Sequence, residues 1–526
     1  MDRQDVQKMG MRLLKKGHIG MVRLVFSRIG LLALLLLLQV ALVLTAFILC
    51  EQYVPHLIIL QGVFVVVMVI YLINSDFDPS AKITWLVFIM IVPVFGTLFL
   101  LYTRMDVGHR ALRDRLRLLV DETRDALPQD ERALKGLEQT SPESAALDRY
   151  LNLTGCFPAY DHTEVSYFPL GEDKFEEMLR QLEKAEHFIF LEYFIIEEGE
   201  MWGRILEILA RKASQGVEVR LMYDGTNEFT TLPYSYPKKL KELGIKCKAF
   251  APIAPFVSTH YNYRDHRKIL VIDGHTAFTG GVNLSDRYIN REEVFGHWKD
   301  TAVMLKGPAA RSFTLLFLQM WNIDEKEPEF GKYLNTPAEP VKEAPGYVIP
   351  YGDTPVDGYR VGEMVYIDIL NRAENYVHIM TPYLILDGEL DTALRFAAER
   401  GVEVSIILPG IPDKKTPYAL AKTHYASLIR AGVKIYEYTP GFVHAKVFTS
   451  DDKKAVVGTI NLDYRSLYHH FECAAYMVDT PCIADIEADF AHTLAKCHRV
   501  TLEDVKNVKT GMKLRGILSK AIATLL

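Results

Sequence analysis

The sequence predicts an α/β protein made of two similar halves, preceded by an N-terminal helical membrane region. Three observations predict it. Stretches nearly 190 residues apart match one another, each copy alternates apolar β-rich runs with amphipathic helices, and long apolar runs crowd the first fifth of the chain. The 526 residues carry a formal charge of −6, which excludes a broadly basic, nucleic-acid-coating protein. Hydrophobic residues make up 49% and charged residues 24%, which excludes a wholly disordered chain.

The N-terminal element rests on three runs: residues 29–50, 54–73 and 83–102. The first two hold no charged residue. Some 20 helical residues reach ~30 Å, one hydrocarbon thickness. The first run is too long for a cleaved signal and lacks a small-x-small site, so it is expected to remain as an anchor. Arg3, Lys8, Arg12, Lys15, Lys16, Arg23 and Arg28 precede the runs, and Arg104, Arg110, Arg113, Arg115 and Arg117 follow them. Positive charge favours the cytoplasm, so both flanks are expected there, which three full crossings forbid. Pro93 and Gly96 divide the third run, which is therefore the expected re-entrant or interfacial one, leaving two or three spans. Residues 110–120 place Leu112, Leu116, Leu119 and Val120 at helical spacing among arginines, the pattern of a basic helix on anionic lipid or of a linker helix.

The repeat defines the rest. AEHFIFLEYFIIEEG at 185 matches AENYVHIMTPYLILDG at 373, GVEVRLMYDG at 216 matches GVEVSIILPG at 401, and GIKCKAFAP at 244 matches GVKIYEYTP at 432. The offsets are 188, 185 and 188 residues, and a near-constant offset marks a duplicated unit. Each copy predicts a strand (188–196; 376–380), a helix (202–213; 390–400), a buried strand (217–222; 402–408), a helix (236–243; 417–431) and a third strand (245–250; 433–438). Strands alternating with helices of this length form a sheet covered on both faces. The expected organisation is a membrane region at 1–105, a basic interfacial or linker helix region at 106–148, a first catalytic half at 149–325, a linker at 326–357, a second half at 358–500, and a basic amphipathic helix at 501–526. In that last segment Leu514, Ile517, Leu518, Ala521, Ile522 and Leu525 follow a 3.6-residue period beside Lys513, Arg515 and Lys520.

After the third strand the halves read HRKILVIDGHTAFTGGVNL and HAKVFTSDDKKAVVGTINL. The first holds His266, Lys268, Asp273, Gly280, Gly281 and Asn283, and the second holds His444, Lys446, Asp451, Gly458 and Asn461. Both fit H-x-K, four residues, then D, and in both the asparagine lies 17 residues beyond the histidine. One H-x-K is a weak signal, but two with identical spacing in a duplicated fold are a strong one. Side chains two apart on a strand face the same side, so each motif presents an imidazole and an ammonium together.

These motifs resemble the phospholipase D superfamily over residues 150–500, and HWKD at 297–300 with NLDYRSL at 461–467 resembles, more narrowly, its bacterial cardiolipin synthases. The resemblance implies two phospholipase D-like halves related by pseudo-twofold symmetry, their histidines converging on one phosphodiester. A neutral imidazole then attacks phosphorus while a protonated one gives its proton to the leaving alkoxide. Family likeness assigns His266 as nucleophile and His444 as acid/base, although the near symmetry of the residues leaves that order open. Lys268 and Lys446 would stabilise the equatorial oxygens, Asn283 and Asn461 would add neutral donors, and Gly281 and Gly458 would permit close backbone approach. Asp273 and Asp451 complete the expected catalytic set.

Each histidine needs an orienting acceptor. Asp300 before TAVML aligns with Glu472 before CAAYMV, and Glu292 and Glu293 rival Asp300 for the first role. The implied reaction joins two phosphatidylglycerols into cardiolipin and glycerol, exchanging one phosphodiester for another. A membrane-bound phospholipase D, or a transferase using another alcohol, is the alternative. No nucleotide motif occurs, and neither a cofactor nor a metal is expected. The expected partners are phosphatidylglycerol and anionic membrane lipid rather than nucleic acid, with the halves on the cytoplasmic face. The six cysteines form no CxxC pair and suit a reducing compartment.

Overall fold

The computed structural model describes residues 37, 40, 41, 45, 54–75, 77–104, 107–252, 263–336, 341, 344–521 and 523. The first apolar run lies almost wholly outside them. The chain divides into two compact units: one holds residues 112–252 and 262–516, the other residues 18–111 with two short segments.

In the smaller unit the second run forms a 20-residue helix, Val54–Ile73, whose Ile59, Leu60, Val63, Val66, Val67 and Ile70 are exposed. The third run breaks at Val92 into helices Pro79–Ile91 and Pro93–Arg104. Pro93 has no N–H for the preceding helix, and Asp78 caps the first of the pair by accepting from Ser80 and Ala81. Leu72, Trp85, Ile89 and Leu100 bury one another among these helices. Among the described residues, no helix is long and apolar enough to cross a membrane.

The larger unit contains two sheets built alike. Its strands are β1 (Glu164–Phe168), β2 (Phe188–Tyr193), β3 (Glu218–Asp224), β4 (Lys246–Phe250), β5 (Arg264–Asp265), β6 (Lys268–Ile272), β7 (Thr276–Gly280), β8 (His297–Lys299) and β9 (Ala302–Lys306), then β10 (Tyr347–Asp353), β11 (Tyr376–Met380), β12 (Glu403–Pro409), β13 (Lys434–Tyr438), β14 (Gly441–Val443), β15 (Val447–Ser450), β16 (Lys454–Gly458), β17 (His470–Val478) and β18 (Cys497–Arg499). The first sheet runs β1-β9-β7-β6-β2-β3-β4, and the second runs β10-β17-β16-β15-β11-β12-β13-β18. Strand for strand the order repeats, and β18 is the second sheet's addition. In each, the three strands that carry the repeat (β2, β3, β4; β11, β12, β13) pair parallel in order, and the motif strand pairs antiparallel with the first of them.

Residues 347–353, expected in the linker, instead form β10, the edge strand that pairs with all of β17 from 472 to 478. Pro350 made this segment read as a loop. An edge position tolerates it, because a strand with one neighbour needs only half of its backbone groups. The helix Val107–Glu122, expected to lie on lipid or to act as a linker, turns one face to the larger unit and leaves Arg110 and Leu118 exposed. Leu116 and Leu119 are buried in the catalytic core, Arg115 donates to the carbonyls of Asn322, Ile323 and Glu325, and Arg117 donates to that of Val356. At the other end of the chain, Leu514, Ile517 and Leu518 of helix Thr510–Lys520 stay exposed.

The core runs through both halves. The helix Ala310–Trp321 is buried at all but one position, and it packs on β2, β6 and β7 of one sheet and on β10 of the other. Such burial on nearly every side follows from its position between the sheets, with Ser312, Thr314 and Gln319 buried beside the apolar residues.

Candidate active site

Two short crosswise pairings create the site. β5, just before His266, pairs parallel with the start of β17 in the other half, and β14, just before His444, pairs parallel with β8 in the first half. The His266 N–H then donates to the Phe471 carbonyl at 3.0 Å, and the His444 N–H to the Lys299 carbonyl at 2.7 Å. Each motif histidine is thereby delivered beside the acid that ends the opposite half's crossing segment.

The side chains complete this exchange. His266 Nδ1 lies 2.9 Å from both carboxylate oxygens of Glu472. His444 Nδ1 lies 2.6 Å from Asp300 Oδ2. An ionised carboxylate only accepts, so Nδ1–H donates in both cases, and each Nε2 is left to attack as the neutral ring or to carry a second proton as the imidazolium. Glu292 and Glu293, the rivals, are exposed in the loop before β8. Lys268 and Lys446, two residues beyond the histidines, are buried and donate to the His266 and His444 carbonyls. Arg267, between them, points to the other side of the strand, over the Phe471 ring and 3.8 Å from Glu192.

Electrostatics prepare the site for an anion. Burial, then the charges of Lys268, Lys446 and His444, hold His266 well below the ordinary histidine value. Burial and Lys446 pull His444 down to about 4, against the opposing pull of Asp300. Burial lowers Lys268 to about 7 and Lys446 to about 8. Burial alone would raise the Asp300 carboxyl, but His444 and Lys446 hold it below the usual aspartate range. A bound phosphodiester reverses the pressure on the lysines, and by the same charge it raises His444, which holds its second proton once the anion is bound. In the free enzyme they carry charge below about pH 7–8 and lose it above, so kcat/KM is expected to fall as pH rises through that window, with kcat less affected. Initial rates from pH 5 to 9 check this, and a flat alkaline limb contradicts it.

Several expected site residues have other work. Asp273 and Asp451 stand at the far ends of β6 and β15, well away from the lysines. Asp273 accepts the N–H groups of Glu186, His187 and Phe188 at 2.7–2.8 Å. Asp451 does the same for Glu374, Asn375 and Tyr376 at 2.8–2.9 Å. Both have positive φ, near +52° and +56°. Each pins the turn after the motif strand to the start of the neighbouring strand, so the structure places them as turn anchors and does not gather them with the imidazoles. Asn283 is also committed, accepting from the Ile195 N–H at 3.0 Å and donating to Tyr288 at 2.9 Å. Asn461 is buried, and its Oδ1 has no hydrogen bond among the described residues.

Gly281 earns its place by contact. A Cβ there would lie 2.0 Å from Asp300 Oδ1 and 2.9 Å from the His444 carbonyl. Gly281→Ala is expected to cost about 1–3 kcal/mol of stability through overpacking and to lower activity more than stability, measured by denaturant unfolding and initial rates. By strand register Gly458 matches Gly280, since they face Ala474 and Ala302 respectively, and a Cβ on Gly458 would lie 2.3 Å from that of Ala474.

Sequence reading missed the roles of five neighbours. The Thr459 hydroxyl donates to Glu472. His470 and Phe194 pack their rings near His266, and Trp298 and Tyr288 pack theirs near His444. The run HHFE at 469–472 was the available signal for His470. His266, His470 and Glu472 also offer ligand atoms within 4.8 Å of one another, as do Glu363, Asp387 and Glu389 elsewhere in the second half. The two buried lysines supply positive charge without either group. Two imidazoles, two ammonium groups and two crosswise carboxylates around one spot can transfer a phosphoryl group through a covalent nitrogen adduct.

A family model described as "Cardiolipin synthase, PLD-like domain" matches residues 178–321 and 366–494. A cardiolipin synthase of Alkalihalophilus pseudofirmus is 30% identical over 504 residues, 95% of this chain and all of the relative. An uncharacterized protein of Streptococcus mutans is 58% identical over 458 residues, 87% of this chain and 99% of that one. In fold, the chain is similar to the crystal structure of phosphatidylserine synthase from Haemophilus influenzae, with a TM-score of 0.56 at 14% identity, over 74% of this chain and all of the other.

Proposed function

The chain belongs to the cardiolipin synthase family of phospholipase D-like proteins, and from that premise we propose that it joins two phosphatidylglycerols into cardiolipin and glycerol. The observation that carries the reading is the crosswise pair of histidine–carboxylate bonds, which orients two Nε2 atoms with two buried lysines beside them. Neutral His266 Nε2 attacks phosphorus of the first lipid. The bond from phosphorus to the headgroup glycerol breaks, and that alkoxide takes the proton of His444 as glycerol leaves. A headgroup hydroxyl of the second lipid then attacks phosphorus, gives its proton to His444, and the P–N bond breaks to restore neutral His266. Lys268 and Lys446 hold the non-bridging oxygens throughout. Asp273 and Asp451 keep the two motif strands in place.

We place the enzyme in the cell membrane as a multi-pass protein, its catalytic halves on the cytoplasmic face and its basic segments on anionic lipid. The exposed apolar side chains of helix Val54–Ile73 and of helix Thr510–Lys520 support this. Residues 1–105 then serve as the membrane region, and 149–325 and 358–500 as the catalytic halves. Anchoring holds the site among headgroups and raises their effective concentration. The test is to give the full-length enzyme in bilayers labelled phosphatidylglycerol. Cardiolipin and glycerol in equal amounts support the reading, whereas phosphatidic acid or a different ester sinks it in favour of a lipase or another transferase.

A further inference from the structure

The two halves are not equivalent at the point where it matters. β7 sets Gly280 opposite Ala302, and β16 sets Gly458 opposite Ala474, so Asp300 corresponds to Glu472 and Trp298 corresponds to His470. The crosswise pairings agree, since Phe442 faces Trp298 and Arg264 faces His470. The two rings hold the same geometry: Trp298 lies 5.4 Å from His444 at 44°, and His470 lies 5.4 Å from His266 at 41°. An indole on one side therefore stands where an imidazole stands on the other. Gly281 and Thr459, one residue beyond the matched glycines, differ in the same way.

The consequence falls on the two carboxylates. Asp300 gives Oδ2 to His444 and Oδ1 to the Thr301 N–H. Glu472 is shared more widely: both oxygens face His266 Nδ1, Thr459 donates to Oε2, and His470 Nδ1 lies 3.6 Å from Oε1. His470 Nδ1 makes no hydrogen bond among the described residues, so its N–H has Glu472 as its available acceptor. Glu472 thus accepts from His266 and Thr459 and faces a second imidazole at 3.6 Å, whereas Asp300 accepts from one imidazole at 2.6 Å and one backbone N–H, so Glu472 stabilises its imidazolium less. We infer that His470, with Thr459, is a positioning residue that draws Glu472 away from His266, keeping His266 the neutral nucleophile and leaving His444 the proton carrier. This rests on the two-histidine transfer chemistry above and assigns its direction. The direction of the His266 shift, well below the ordinary value, agrees. The other groups facing His266 are Lys268 from its own strand, His444 and Lys446 from the second motif, and Lys414 before the helix Lys415–Ala431. Of these, Lys268 and Lys446 also act on Glu472 through their charges, in the native protein and in a His470 variant alike.

The test reads the imidazoles directly. Diethyl pyrocarbonate acylates neutral imidazole, and mass spectrometry of the full-length protein gives the rate at His266 and at His444 separately across pH. In His470→Phe, which removes the donor, the His266 midpoint is expected to move up by about half to one pH unit while His444 stays put. In His470→Asn, whose amide still donates, the native profile is expected to return. An unmoved His266 midpoint in His470→Phe, or equal shifts at both histidines, overturns the inference. The readout needs no lipid, so a failure to make cardiolipin would count against the transferase reading alone. Trapping labelled phosphatidylglycerol in the native enzyme adds a second reading: label on His266 is expected, and label on His444 overturns the assignment.

Discussion

His266→Ala and His444→Ala are each expected to lower kcat/KM by ~10⁴-fold or more, and the double variant is expected to be little worse than either, because the two imidazoles act as one unit. The two losses differ in kind. A phosphodiester with a nitrophenolate leaving group needs no proton on departure, so it is expected to restore much of the His444→Ala rate and almost none of the His266→Ala rate. Both imidazoles are buried at the centre of the crosswise contact, yet neither backbone depends on its ring, since the His266 and His444 N–H groups carry the strand pairing. Unfolding curves near native for both variants are part of the expectation. Rescue of His266→Ala instead would reverse the roles.

The second large effect follows from the exchange of acids. Glu472→Gln and Asp300→Asn are each expected to cost ~10³–10⁴ in kcat, the scale seen when an amide replaces the carboxylate that fixes a catalytic tautomer. The pattern of rescue separates them. Asp300 holds His444, the proton carrier, so Asp300→Asn should recover on the activated substrate. Glu472 holds His266, the nucleophile, so Glu472→Gln should not. Had each acid served the histidine of its own half, the two variants would exchange behaviours. Rates on lipid and on the nitrophenyl ester, measured side by side, decide between these arrangements.

Much of this was legible in the chain, and the misses have identifiable causes. The strand and helix alternation of both copies was readable because periodicity and β-propensity are local properties. β10 was not, because Pro350 and Gly352 write a loop-like string that only an edge position redeems. The helix at 107–122 has a basic surface that suits lipid equally well, and the carbonyls of 322, 323, 325 and 356 that claim Arg115 and Arg117 come from distant parts of the chain. Asp273 and Asp451 belong to a pattern so regular that catalysis seemed their purpose, whereas three backbone N–H groups apiece explain the regularity. Asn283 looked available until Ile195 and Tyr288 took both ends of its amide.

By itself the sequence determined the duplicated α/β unit, the two imidazole–ammonium pairs and the acids that could orient them. Those depend on spacing along a strand and on repetition, which a linear string records. The tertiary structure alone decided which acid serves which histidine. His266 and Glu472 stand 206 positions apart, His444 and Asp300 stand 144 apart, and each pair spans the two halves. It alone set His470 opposite Trp298, because that correspondence is one of register between sheets. A site shared by two halves is defined by how their edges cross, and residue order carries no term for that.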